Sequence, residues 1–99
     1  MKLSVEFLEP AEQELFEAFE YYNEQLIGLG FEFALEVQKA IERIVKFPDS
    51  WTKLSERIRK CRCNRFPYNI IYSQQNSTII IVAIMHSKRK PNYWLERVK

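Results

Sequence analysis

The stretch TIIIVAIM, residues 78–85, decides how this chain folds. Seven of its eight residues are apolar, and they fall on both odd and even positions. Successive side chains of a strand point to opposite sides, so such a stretch is apolar on both faces. It must therefore be covered from above and below, which predicts an interior strand of a sheet. Just before it, YNIIYS (68–73) reads as a second strand, and QQNS (74–77) as the hairpin loop joining the two. Further upstream, NRFP (64–67) is a turn built on Asn64 and Pro67, and RIRKCRC (57–63) is a third strand.

The first half of the chain has a different rhythm. KLSVEF (2–7) alternates, with Leu3, Val5 and Phe7 on one side, and predicts a half-buried strand. Pro10 suits the first turn of a helix, where its missing N–H costs nothing. Ala11, Leu15, Ala18, Phe19, Tyr22 and Leu26 then recur at helical spacing, with glutamates assigned to the opposite face. GLG (28–30) ends that helix. A second helix carries the stripe Phe33, Ala34, Val37, Ala40, Ile41 and Ile44 and stops at Pro48. PNYWLERV (91–98) predicts a short C-terminal helix starting at Pro91. The order β-α-α-β-β-β-α implies an α+β fold, an antiparallel sheet with a helical hairpin packed on one face. Residues 1–99 are enough for a single domain with its own core, and no repeat, linker or low-complexity segment interrupts them.

Composition narrows the function. Apolar residues make up 46% and charged ones 28%, as expected of a folded chain. No apolar run approaches the ~20 residues of a membrane helix. The opening MKLSVEFLEP has acids where a signal peptide would be apolar, so the expected location is cytoplasmic and the two cysteines are expected to be reduced. The net charge of +2 hides a division. Residues 1–49 hold 11 acids and 4 bases, and residues 50–99 hold 2 acids and 11 bases. Either acidic helices complement basic strands inside one fold, or the basic half faces an anionic partner. One histidine, two cysteines and two glycines offer neither a zinc cluster nor a glycine-rich phosphate loop, so no metal and no cofactor are expected.

The bases also cluster locally. With the hairpin centred between Gln75 and Asn76, Tyr68 faces Ala83 and Arg65 lies level with His86. RCNRFPYNIIY (62–72) and HSKRKPNYW (86–94) then meet at one end of the sheet, gathering Arg65, His86, Lys88 and Arg89 with Tyr93 and Trp94. Lys60 and Arg62 share one face of the neighbouring strand, about 7 Å apart, and Cys61 and Cys63 share the other. Two chemistries fit. In cleavage by an RNA 2′-hydroxyl, His86 and Tyr93 would carry protons while Arg62 and Arg89 stabilise charge on the phosphate. Alternatively, the cluster grips phosphates or an acidic protein surface without any reaction. The plainer reading leaves His86 as a surface hydrogen-bonder and Tyr68, Tyr72, Tyr93 and Trp94 as packing residues.

R-F-P-Y-x-I-x-Y (65–72) and A-x-x-H-x-x-R-x-P-x-Y-W (83–94), together with FLEPAEQEL (7–15) and FPDSW (47–51), resemble the RelE/ParE toxin superfamily of bacterial and archaeal type II toxin–antitoxin systems. The resemblance spans nearly the whole chain. It implies a small toxin held inactive by a cognate antitoxin, with the groove between the helical hairpin and the sheet expected to accept an apolar segment of that partner. RelE-like members cut mRNA in the ribosomal A site, whereas ParE-like members poison DNA gyrase. Lys60 and Arg62 are similar to the basic pair of the nuclease branch, and Arg89 to its later arginine. Asn69, however, stands where that branch has another arginine, and losing such a stabiliser costs ~3 kcal/mol of barrier. Tyr93 also falls early for the nuclease pattern, and the C-terminal wording is ParE-like. The expected function is therefore gyrase inhibition, with Arg65, Lys88, Arg89, Lys90 and Trp94 as target contacts. The alternatives are a ribosome-dependent mRNA endonuclease using Lys60, Arg62, Arg89, His86 and Tyr93, and a non-toxic antitoxin-binding module.

Overall fold

Residues Thr78–His86 form the interior strand the sequence predicts, the fifth in the chain (β5). The computed structural model describes residues 2–98. β1 (Ser4–Phe7) leads into helices α1 (Glu9–Gln25) and α2 (Leu29–Lys46). β2 (Thr52–Lys53), β3 (Arg59–Arg62), β4 (Tyr68–Gln75) and β5 follow, and a 3-10 turn (Leu95–Val98) comes last. The five strands lie in the order β1-β5-β4-β3-β2. Among the described residues no helix is long and apolar enough to cross a membrane.

The sheet is mixed rather than wholly antiparallel, because β1 pairs parallel to β5. The two-residue β2, too short to read from sequence, supplies the reason. If each connection reverses the chain, β1 and β5 are separated by an even number of reversals with β2 included and an odd number without it. The helix expected over 91–98 is also reduced to the 3-10 turn. Asn92 takes a left-handed φ of 66°, which breaks any helix starting at Pro91.

The helical hairpin closes tightly. Asn23 Oδ1 accepts hydrogen bonds from the backbone N–H of Gly28 (3.0 Å) and Gly30 (3.1 Å). Gly28 sits at φ 93°, and a Cβ on Gly30 would lie 2.4 Å from the carbonyl oxygen of Phe19. Leu26, assigned by spacing to the first helix's buried stripe, lies in this connection and is exposed.

Beneath the hairpin, Phe33, Val37, Ala40 and Ile44 of α2 meet Cys61, Ile70, Tyr72, Ile79, Ile81 and Ile84 of the sheet in one core. This packing fills the space beneath α2. The far side of the sheet is covered separately. Ile58, Ile71, Val82 and Ala83 pack there with Trp94, brought across by the C-terminal segment.

The β4–β5 register differs from the one centred on residues 75 and 76. The turn occupies residues 76 and 77, and Val82 is an extra residue between the pairs Tyr72↔Ile81 and Ile71↔Ala83. This bulge changes which side chains face the helices: Ile79 and Ile81 do so before it, Ile84 after it. Tyr68 consequently pairs with His86, not with Ala83.

Candidate target-binding surface

The end of β5 and the segment after it form a braced cationic projection. His86 lies beside Tyr68 across the strand pair, with ring centroids 5.0 Å apart and edge-on. Its Nδ1 accepts the backbone N–H of Lys88 at 3.0 Å, so in the neutral ring the proton sits on Nε2. Ser87 N–H donates to the carbonyl of Pro67 at 2.7 Å, and Arg89 N–H to that of His86 at 2.9 Å. The side chains of Lys88, Arg89 and Lys90 are exposed. The Arg89 guanidinium lies 4.0 Å from the centroid of the Tyr93 ring, within cation–π range.

Tyr93 is anchored in turn. Its hydroxyl donates to Glu14 Oε2 of α1 at 2.6 Å. Arg97 grips the same carboxylate through both oxygens at 2.9 Å, and the two side chains are only 17% and 15% exposed. Glu14 Oε1 also accepts the backbone N–H of Ile84 at 3.0 Å, and Arg97 Nη1 donates to the carbonyl of Val82 at 3.0 Å. These contacts satisfy the edge of β5 beyond Ile81, where its pairing with β1 ends. Burial, followed by the hydrogen bond and charge of Glu14, pushes the Tyr93 phenol far above its ordinary range. A small cleft of about 180 Å³ lies between Glu14, Tyr21, Tyr68, His86, Arg89 and Tyr93.

The remaining predicted residues do not converge on this place. Arg65 takes a left-handed φ of 69° and turns to α2, with Nη2 2.7 Å from Glu32 and Nη1 3.9 Å from Glu36. It is therefore not level with His86. Arg62 pairs with Asn69 and Asn69 with Met85, so Lys60 and Arg62 belong to the sheet face away from the helices. His86 and Tyr68 belong to the helix-side face. The five residues considered for RNA cleavage are thus split between two sides of the sheet. Trp94 is 2% exposed and is a core residue, without the surface a target contact needs.

Cys61 and Cys63 are buried on the helix side. Burial pushes the Cys63 thiol up to about 11. Among the described residues no group of three or more His, Cys, Asp or Glu side chains could hold a metal ion. A wider cleft of about 1020 Å³ lies beside the β4–β5 turn, lined by Arg57, Arg59, Gln75, Ile80 and Arg97, and includes none of the predicted site residues.

Glu14 and Arg97 were not singled out in the sequence. The available signal was spacing: Glu14 stands three residues after Ala11 and four before Ala18, both buried, so it lies in the buried stripe of α1 and not on the opposite face.

No curated protein matches the chain in sequence. Among solved structures, a chain from "Chromosomal ParDE TA system from P. aeruginosa" superposes with a TM-score of 0.73 at 14% identity, covering 88% of this chain and 98% of that one. At that identity the likeness shows a shared fold. Residues 5–91 match the family model described as "ParE toxin of type II toxin-antitoxin system, parDE", and with a match over most of its length the chain belongs to that family.

Proposed function

We propose that the chain acts in the cytoplasm as a growth-arresting toxin that inhibits DNA gyrase, with Lys88, Arg89 and Lys90 as its principal contacts. The observation that carries this reading is the braced projection. Three exposed cations follow one another on a segment held by the Ser87–Pro67 hydrogen bond at one end and by Tyr93 at the other. A rigid cationic projection presents charge to an anionic protein surface or to DNA phosphates at low ordering cost. The nuclease reading is not favoured, because it needs Lys60 and Arg62 to work beside His86 and the sheet stands between them.

In the same proposal, a cognate antitoxin holds the toxin inactive by covering the outer face of the helical hairpin. Phe16, Ile27, Phe31 and Leu35 are exposed there, Ile27 at 94% and Phe31 at 66%. Phe19 links Phe16 and Phe31 by edge-on ring contacts at 6.4 and 4.9 Å. A contiguous apolar patch of this kind marks a protein-binding surface.

The test is a supercoiling assay with purified gyrase. The wild-type chain should block supercoiling in proportion to its concentration, and replacing residues 88–90 by alanine should weaken the block by at least about tenfold, as expected for loss of several charged contacts. Unimpaired supercoiling at a large excess of wild-type chain would remove gyrase as the target.

A further inference from the structure

We propose that Glu14 is a positioning residue, fixing Arg89 for target contact by way of the Tyr93 ring. The proposal rests on the reading of segment 88–90 as the gyrase contact and deepens it. Glu14 belongs to α1, and its partners in the C-terminal segment lie 79 and 83 residues away along the chain. Its carboxylate accepts four hydrogen bonds: one from Tyr93, two from Arg97 and one from the backbone of Ile84. Nothing in local secondary structure demands this. The excursion after His86 contains no regular element before the 3-10 turn at Leu95, and two features mark where it is fastened. Trp94 is buried on the sheet face away from the helices, and Tyr93, packed against the same cluster, is tied through its hydroxyl to Glu14 of α1.

Between these anchors, the Tyr93 ring is the platform on which Arg89 rests, 4.0 Å away, while Arg97 lies 5.0 Å from the same ring. Arg97 is neutralised by Glu14, which leaves Arg89 as the outward cation on that platform. A guanidinium on a long side chain otherwise samples many rotamers, and binding must select the competent one. If Glu14 releases Tyr93, the ring moves and that fraction falls. The apparent affinity falls by the same fraction, with no direct contact between Glu14 and the target.

The experiment uses the full chain as wild type, E14Q, Y93F, R89A and the double variants E14Q/R89A and Y93F/R89A. Gyrase inhibition is measured beside native trypsin cleavage after Lys88 and Arg89, and each variant's thermal melt checks that it folds. E14Q keeps the side-chain shape but gives up the two-pronged grip on Arg97. Y93F keeps the ring and the Glu14–Arg97 pair and removes only the hydroxyl. In both, cleavage should speed up and the inhibiting concentration rise about tenfold, as expected for losing a hydrogen bond to a charged group. In the R89A background each should add little further loss, because Glu14 acts through Arg89. Inhibition unchanged in E14Q and Y93F, or losses that simply add to that of R89A, would overturn the positioning role. Cleavage unchanged in both variants overturns it whatever gyrase does. A wild-type chain that leaves gyrase untouched, with cleavage still accelerated in the variants, removes the gyrase reading but leaves the Glu14 link to the segment standing.

Discussion

Two tyrosines of the core carry a measurable signature of their burial. The Tyr72 hydroxyl donates to the carbonyl of Pro48 at 2.6 Å, tying β4 to the segment that follows α2. Burial pushes the phenols of both Tyr72 and Tyr68 up to about 12, from the ordinary 10.0. The neutral form is thus favoured in the folded chain. The stabilisation is fully present below pH 10 and is lost as pH rises through about 12, where the unfolded chain ionises first. An alkaline titration followed by tyrosinate absorbance should show these two phenols ionising late, together with loss of structure. Tyr72→Phe removes the donor to Pro48 and should lower stability by about 1 kcal/mol in a denaturant titration. At this scale the sequence was legible where a residue's role is burial and illegible where it is a distant pairing. Trp94 could be read as packing or as contact, and only the fold decides. Glu14 sat at a buried spacing, but its partner Arg97 is 83 residues away, and no local pattern announces it.

The sheet depends on one inserted residue. If β5 kept Val82 but ran without the bulge, strict alternation past Ile81 would turn Ile84 and His86 to the face now occupied by Val82 and Ala83. Deleting Val82 removes the extra residue and leaves Ile84 and His86 on their present face, so the thermal melt should stay cooperative and lose only the burial of one valine, about 1.5–3 kcal/mol; a non-cooperative melt would count against this assignment. Gly30 plays the matching part in the hairpin. Gly30→Ala would force a methyl against the Phe19 carbonyl and separate the helices, at a cost of about 1–3 kcal/mol in denaturant titration. Apolar patterning revealed both helices and the strands β1, β3, β4 and β5, because period and length are local properties. Register and strand direction were not local. They turned on the two-residue turn at 76 and 77, on the bulge at Val82 and on β2, which has only two residues. Each lies below the length at which a pattern can be recognised, yet together they placed His86 opposite Tyr68 and away from Arg62.

Taken whole, the molecule separates two kinds of surface. An apolar, ring-rich face lies on the outside of the α1–α2 hairpin, and a cationic projection leaves the far end of β5. The division of charge along the sequence becomes partly a division inside the fold, since Arg65 is spent on Glu32 and Glu36, and Arg97 on Glu14. The target contact proposed above is the run 88–90, three consecutive exposed cations. If the two faces serve different partners, Phe31→Glu should weaken antitoxin binding about tenfold or more, as expected for losing a buried aromatic contact, and leave gyrase inhibition intact. A binding assay and a supercoiling assay on the same preparation would show the separation. The most direct test of the account as a whole is expression of the chain without antitoxin, with plasmid supercoiling and mRNA integrity read from the same cells. Loss of negative supercoiling with intact messages, abolished when residues 88–90 are replaced by alanine, is the predicted result. Codon-phased mRNA cuts with normal supercoiling would contradict it.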